Sequence, residues 1–325
     1  MTDEHHAHGK LARVVGIVAA GVACAALVFL LVIGLRQRAD YQRELDQPLV
    51  APKIDPSLIR WREVERIDTG LRGARGIAVG ADGGLYLAGG GTVYRRRGER
   101  MQSLFPPGSS PVTCVAVAEG RVLIGMRDHI EALSSDGTRA RWRAANSRSY
   151  LTSLAAAGDD VWAADAGKRI VYHYNRAGKL LGRLGQKDPA RGVPGLVAPS
   201  PYLDVAVTHN VTVWVANPGR HRLEKYAPDG RPGVAWGKAG MAVEKFCGCC
   251  NPVNFALLPD GRFVTAEKGL RRVKIYRADG TFESVVAGPE SFGGSTGALD
   301  VATDARGRVY VLDSADGVVR VFAPK

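Results

Sequence analysis

Three of the chain's five cysteines, Cys247, Cys249 and Cys250, fall within four residues in the stretch "FCGCCNP". Thiols at that spacing support three kinds of chemistry. They can close a structural disulfide, within the loop or to Cys114, and four cysteines allow three full pairings. They can offer thiolates to a soft ion such as Cu(I) or Zn(II), with Cys114 as the fourth ligand. Cys247 and Cys250, in C-x-x-C spacing, can also cycle between dithiol and disulfide. Adjacent cysteines crowd one tetrahedral ion, and no helix N-terminus stands nearby to lower a thiol pKa. The structural disulfide is the expectation carried forward, with the other two left open.

Other reactive types are sparse. His5 to His8, "HHAH", could bind metal but reads as a solvated tail. No Ser-His-Asp constellation, glycine-rich phosphate loop or nucleic-acid motif stands out, so no nucleic-acid partner is expected. Gly89-Gly90-Gly91 reads as a hairpin turn, and Asn210-Val211-Thr212 matches a glycosylation sequon by pattern alone. Two basic runs, Arg95, Arg96 and Arg97 in "RRRGER" and Arg271 and Arg272 in "GLRRVK", fall on expected outer strands and turns. They are candidates for a docking face toward membrane phosphates or an acidic protein, and a merely solvated face is the plainer alternative.

The elements that must position these residues are repeats. The 325 residues include 40 glycines, which favours a β-protein with many tight turns over a helical one. Six segments share one plan. They start at Gly76, Cys114, Ser153, Asp204, Asn254 and Asp300. A short apolar strand reaches a turn such as Asp82-Gly83 or Asp260-Gly261. A second strand follows with a bulky residue (Tyr86, Trp162, Trp214, Phe263 or Tyr310), then an alternating third and a fourth. The central alanines of the first strands, Ala78, Ala116, Ala155, Ala206, Ala256 and Ala302, are 38, 39, 51, 50 and 46 residues apart. Periods near 40–50 with four strands each are propeller blades. The sixth copy ends after three strands, at Lys325. The lone strand "RWREVERIDTG", Arg60 to Gly70, is expected to supply the fourth and close the ring. The fold class is therefore all-β, a six-bladed β-propeller over residues 60–325.

Pro252 to Gly280 and Ala206 to Gly230, with "VANPGRHRLEKY", resemble the NHL-repeat type of six-bladed propeller; blades two and three match poorly. Such propellers serve as scaffolds, receptors, lactonases and lyases, so function has to come from sites. The ring two residues before each alanine would line the central channel. It offers Ser153, Asp204, Asn254 and Asp300 as polar groups. The resemblance to calcium-dependent propeller hydrolases implies a hard cation on such oxygens. The plainer alternative is a channel whose polar groups bond water and neighbouring strands. Lyase-type relatives imply zinc on channel histidines, but His129, His173, His209 and His221 fall outside the first strands by register. The resemblance also places the "FCGCC" loop at the channel mouth, just before Pro252.

Val14 to Leu35 is a run of 22 residues without a charge, long enough for one membrane-spanning helix. Residues 1–13 are then a cytoplasmic tail and 36–59 a short juxtamembrane linker. The flanking basic residues favour neither side clearly. The short N-terminal tail and the clustered cysteines point to a propeller in the periplasm of a bacterial inner membrane. The formal net charge of +12 lies almost wholly beyond residue 58. These features lead to an expected non-catalytic, membrane-anchored scaffold. Its partner would be an acidic protein or a membrane complex, for example a respiratory or photosynthetic electron-transfer assembly, and no cofactor is expected. The competing expectation is a metal-dependent propeller enzyme or a thiolate metal or redox protein at the channel mouth, with Ca, Zn or Cu as the metal.

Overall fold

The computed structural model describes Val32 and residues 52–325, apart from 72, 109, 144–147, 209 and 294–296. The expected span 14–35, Cys24, the "HHAH" tail and His209 lie outside the described residues, except for Val32. Among the described residues no helix is long and apolar enough to cross a membrane.

Residues beyond 51 form six four-stranded antiparallel sheets around a ring. The innermost strands are Gly76–Val79, Val112–Ala118, Leu151–Ala157, Val205–Val207, Asn254–Leu257 and Leu299–Thr303, in blades one to six. In blades one to five the strands follow outward in chain order. Blade six is closed by the N-terminal strand Trp61–Asp68, which pairs antiparallel with Val318–Pro324 from Trp61↔Pro324 to Asp68↔Val318. The closing strand expected from "RWREVERIDTG" is therefore present, and it leaves the last strand of the ring with no free edge.

The expected linker of 36–59 gives way to ordered contact before its end. Ile59 bridges Val285 of blade five, and Lys325 N donates to Arg60 O at 3.0 Å. The fourth strand of blade one is Arg100–Ser103, reached through a turn where Gly98 takes φ +60°.

The second strands are the buried layer. Leu85–Gly89, Val213–Asn217, Phe263–Ala266 and Val309–Asp313 are buried at every residue, so both faces carry apolar side chains. Among the described residues the core divides into six apolar clusters, each at one interface between successive blades. The interface between blades four and five is aromatic. Trp214 and Trp236 each meet Phe263 edge to face at 4.9 Å between centroids, and Phe246 of the cysteine loop packs on Tyr276 at 5.6 Å.

Candidate functional site at the channel mouth

The expected ring does converge. Cys114, Ser153, Asp204, Asn254 and Asp300 line one small polar cavity of about 90 Å³ in the channel. Its polar groups join successive blades. Ser153 Oγ lies 3.3 Å from both N and O of Val205, from blade three to blade four. Asp204 accepts from Val205 N at 2.9 Å and, across to blade five, from Phe255 N at 2.6 Å. Asn254 Nδ2 donates to Leu299 O of blade six at 2.8 Å. Asp300 accepts from Val301 N at 2.9 Å and from Ile77 N of blade one at 2.9 Å. At the remaining steps the side chains are small: a Cβ on Gly76 would stand 3.0 Å from Cys114 Cα. Burial drives the Asp204 carboxyl up to about 6. Burial, then the charge of Asp204, drives Asp300 up to about 8.

These residues fit a channel cation poorly. Each oxygen of both carboxylates already accepts a backbone N–H, which a channel cation would have to share. Among the described residues no three His, Cys, Asp or Glu side chains gather in a metal-holding arrangement.

Above this cavity the channel opens into a mouth of about 520 Å³, lined by Arg75, Tyr150, Tyr202 and Arg271 among others. Arg75 NH1 donates to Tyr150 Oη at 2.7 Å. The cysteine loop stands beside this mouth. Lys268 Nζ lies 5.1 Å from the centre of the Tyr202 ring and 3.3 Å from Ser200 Oγ.

The loop is built by buried polar groups on blade five. Glu267 Oε1 accepts from Cys247 N at 3.1 Å, and Glu267 also pairs with Arg272 and Lys274. Lys274 Nζ donates to Lys245 O at 2.8 Å and to Val243 O at 3.1 Å, while sitting 4.4 Å from the Phe246 ring centre. Its burial pulls the ammonium pKa down to about 8. Asn251 clamps the turn, donating to Cys247 O at 2.7 Å and Lys268 O at 3.0 Å and accepting from Lys268 N at 2.9 Å. His221 Nε2 donates to Gly248 O at 2.6 Å, where Gly248 takes φ +71°.

Within this frame the sulfurs are sorted differently from the expected set. Cys249 and Cys250 bring their Sγ atoms to 3.2 Å, with Cys249 exposed and Cys250 buried. Cys247 turns away toward Asn251, so the C-x-x-C pair is not assembled. Cys114 is buried in the core between blades two and three, its Sγ packed against Gly125, and burial pushes its thiol up to about 12. Its packing and raised pKa argue against a bridge to the loop or a thiolate ligand there. No two of the described cysteines stand at disulfide distance, so the expected staple is not formed. Burial raises the Cys250 thiol, but the Ser200 hydroxyl, the Lys268 ammonium and Cys249 together outweigh it and hold Cys250 below its ordinary value. Cys249 is raised, first by its hydrogen bond to Cys250.

The expected basic face also divides. Arg271 and Arg272 are each only 2% exposed. Arg271 pairs with buried Asp313 at 2.6 Å and Arg272 with Glu267, because both side chains turn inward to compensate acids at the ends of second strands. They belong to no outer face. Arg95 pairs with Asp82 and Arg96 with Glu65, while Arg97 stays exposed. The described histidines lie outside the first strands, as the register implied. His129 meets Asp128 at 2.7 Å, and His173 stacks on Trp162 while meeting Asp160 at 2.6 Å.

One set of residues escaped the sequence reading. Asp165, Asn217, Glu267 and Asp313 stand at or just past the ends of successive second strands, all fully buried. Asp165 accepts from Tyr150 N at 2.9 Å and Asn217 from Val197 N at 3.0 Å, each holding the segment that leads into its own blade. The signal was present in "VWAAD", "VWVAN", "FVTAE" and "VYVLD", one polar residue closing each apolar run.

No family model and no curated protein matches the sequence. Solved structures match its fold. Virginiamycin B lyase from Staphylococcus aureus superposes with a TM-score of 0.57 at 10% identity, covering 82% of this chain and 100% of that one. The WD40 propeller domain of Doa1 gives 0.55 at 12% identity, covering 82% and 97%. A Bacteroides thetaiotaomicron protein of unknown function gives 0.59 at 13% identity, covering 78% and 70%. At these identities the likeness is one of fold.

Proposed function

We propose that this NHL-like propeller is a non-catalytic binding module, held in the periplasm by a single span at residues 14–35. Its role would be to dock an acidic protein or a subunit of a larger membrane complex, of the respiratory or photosynthetic electron-transfer kind. The observation that carries this reading is the use made of the channel. Asp204, Asn254 and Asp300 each bond the backbone of the next blade. The groups a propeller enzyme would aim at substrate thus close the ring here. The formal net charge of +12 supports an acidic partner, with exposed Arg97 and Arg100 as part of the surface that would meet it.

The test is crosslinking of the tagged full-length chain in native bacterial membranes, followed by carbonate extraction. The expected result is a chain that resists extraction and crosslinks to a defined membrane-complex subunit, with capture weakened as salt rises. Turnover of lactones or peptide-like substrates, abolished by Asp204→Asn in a protein that still folds, would overturn the proposal.

A further inference from the structure

We infer that Cys249 and Cys250 form a thiol–disulfide exchange site at the channel mouth, with Cys249 as the entering sulfur and Cys250 as the resolving one. The partner class is a disulfide or thiol presented from solution or by a docked protein. Three observations carry the inference. The two Sγ atoms already stand 3.2 Å apart, and only the Cys249 side is exposed. The turn beneath them is held from both sides, by Asn251 on Lys268 and by His221 on Gly248. The Ser200 hydroxyl and Lys268 ammonium lie beside Cys250, where a thiolate would be stabilised.

The steps follow from access. Cys249, the sulfur that solvent reaches, loses its proton to solvent and attacks one sulfur of an external disulfide, forming a mixed disulfide and releasing one external thiolate. The Cys250 thiolate then attacks Cys249 Sγ; the bond to the external sulfur breaks and the second external thiolate leaves. The protein dithiol has lost two electrons and two protons, and the external disulfide has become two thiols. In reverse, an external thiolate attacks exposed Cys249 and expels Cys250, the leaving group that Lys268 stabilises. A bond between sequence neighbours spans Cα atoms about 3.8 Å apart, below the usual 4.4–6.8 Å of disulfides, so it is strained and readily reduced. Strain of that kind suits exchange and does not suit a staple.

The experiment uses the full-length chain, reduced and purified in detergent. It is exposed to glutathione disulfide, quenched by alkylation and mapped by peptide mass. The expected product has lost two hydrogens at Cys249 and Cys250, carries no glutathione, and reverts with reduced glutathione. Cys250→Ser should stop at a glutathione adduct on Cys249. Cys249→Ser should leave buried Cys250 reacting at least about tenfold more slowly. Lys268→Met should slow ring closure severalfold without blocking the first adduct. A stable adduct on wild-type Cys249 that never closes would overturn the inference, as would closure to Cys247 or no reaction at either sulfur.

Discussion

At the scale of single residues, the channel acids are structural groups with a testable pH signature. Asp300 is held up to about 8 in the fold against about 3.9 unfolded, so the folded state binds its proton more tightly. Its contribution to stability is therefore fully present below about pH 4 and is lost as pH rises through about 8. Denaturant midpoints measured from pH 5 to pH 9 should fall with pH, and Asp300→Asn should flatten that fall. An unchanged slope in the variant would show that Asp300 does not carry it. Asp204→Ala strands Phe255 N and leaves Val205 N only the longer contact to Ser153 Oγ, and a buried orphan costs about 1–3 kcal/mol. A matching loss in chemical unfolding is expected. Gly125 is small for a specific reason: a Cβ there would overlap Cys114 Sγ. Gly125→Ala should cost about 1–3 kcal/mol by overpacking, and Cys114→Ala in the same chain should recover part of it, which a double-mutant cycle would read.

Between elements, charge works beside apolar packing: Arg271 of blade five pairs with Asp313 of blade six. Glu267 compensates two buried cations, Arg272 and Lys274, and its carboxylate also holds the cysteine loop. Glu267→Ala leaves both cations without their carboxylate, and breaking a buried pair from one side costs about 3–5 kcal/mol. The loop should loosen before the ring does. Hydrogen exchange should therefore rise first over residues 241–250, and uniform exchange across all blades would contradict the local role. The closing strand Trp61–Asp68 makes the opposite prediction. Its removal uncovers the full edge of Val318–Pro324, so a chain starting at residue 70 should aggregate while one starting at residue 52 stays monodisperse by light scattering. The resemblance between blades made this closure legible, because a three-stranded last copy and a lone first strand complement each other.

Over the whole molecule, a period of 38 to 51 residues with one alanine per copy was enough to establish six blades, their inner strands and the convergence of Ser153, Asp204, Asn254 and Asp300. Those are consequences of alternation and repetition, which are written along the chain. What an inward-facing side chain bonds to is not written there. The ring acids were visible as a set, but their engagement with the next blade depends on how closely the inner strands approach around the channel. Arg271 and Arg272 read as surface because a basic pair in an expected turn is usually solvated. Their burial depends on Asp313, more than 40 residues later, and on Glu267 at the end of a strand. The cysteines divide in the same way. Their clustering was a sequence property, and their nearness to the mouth was what the resemblance to NHL-type propellers implied. The contact of Cys249 with Cys250, the turning of Cys247 toward Asn251 and the packing of Cys114 on Gly125 were decided by tertiary structure. Sulfur chemistry turns on ångström distances and local charge, and only the folded chain sets those.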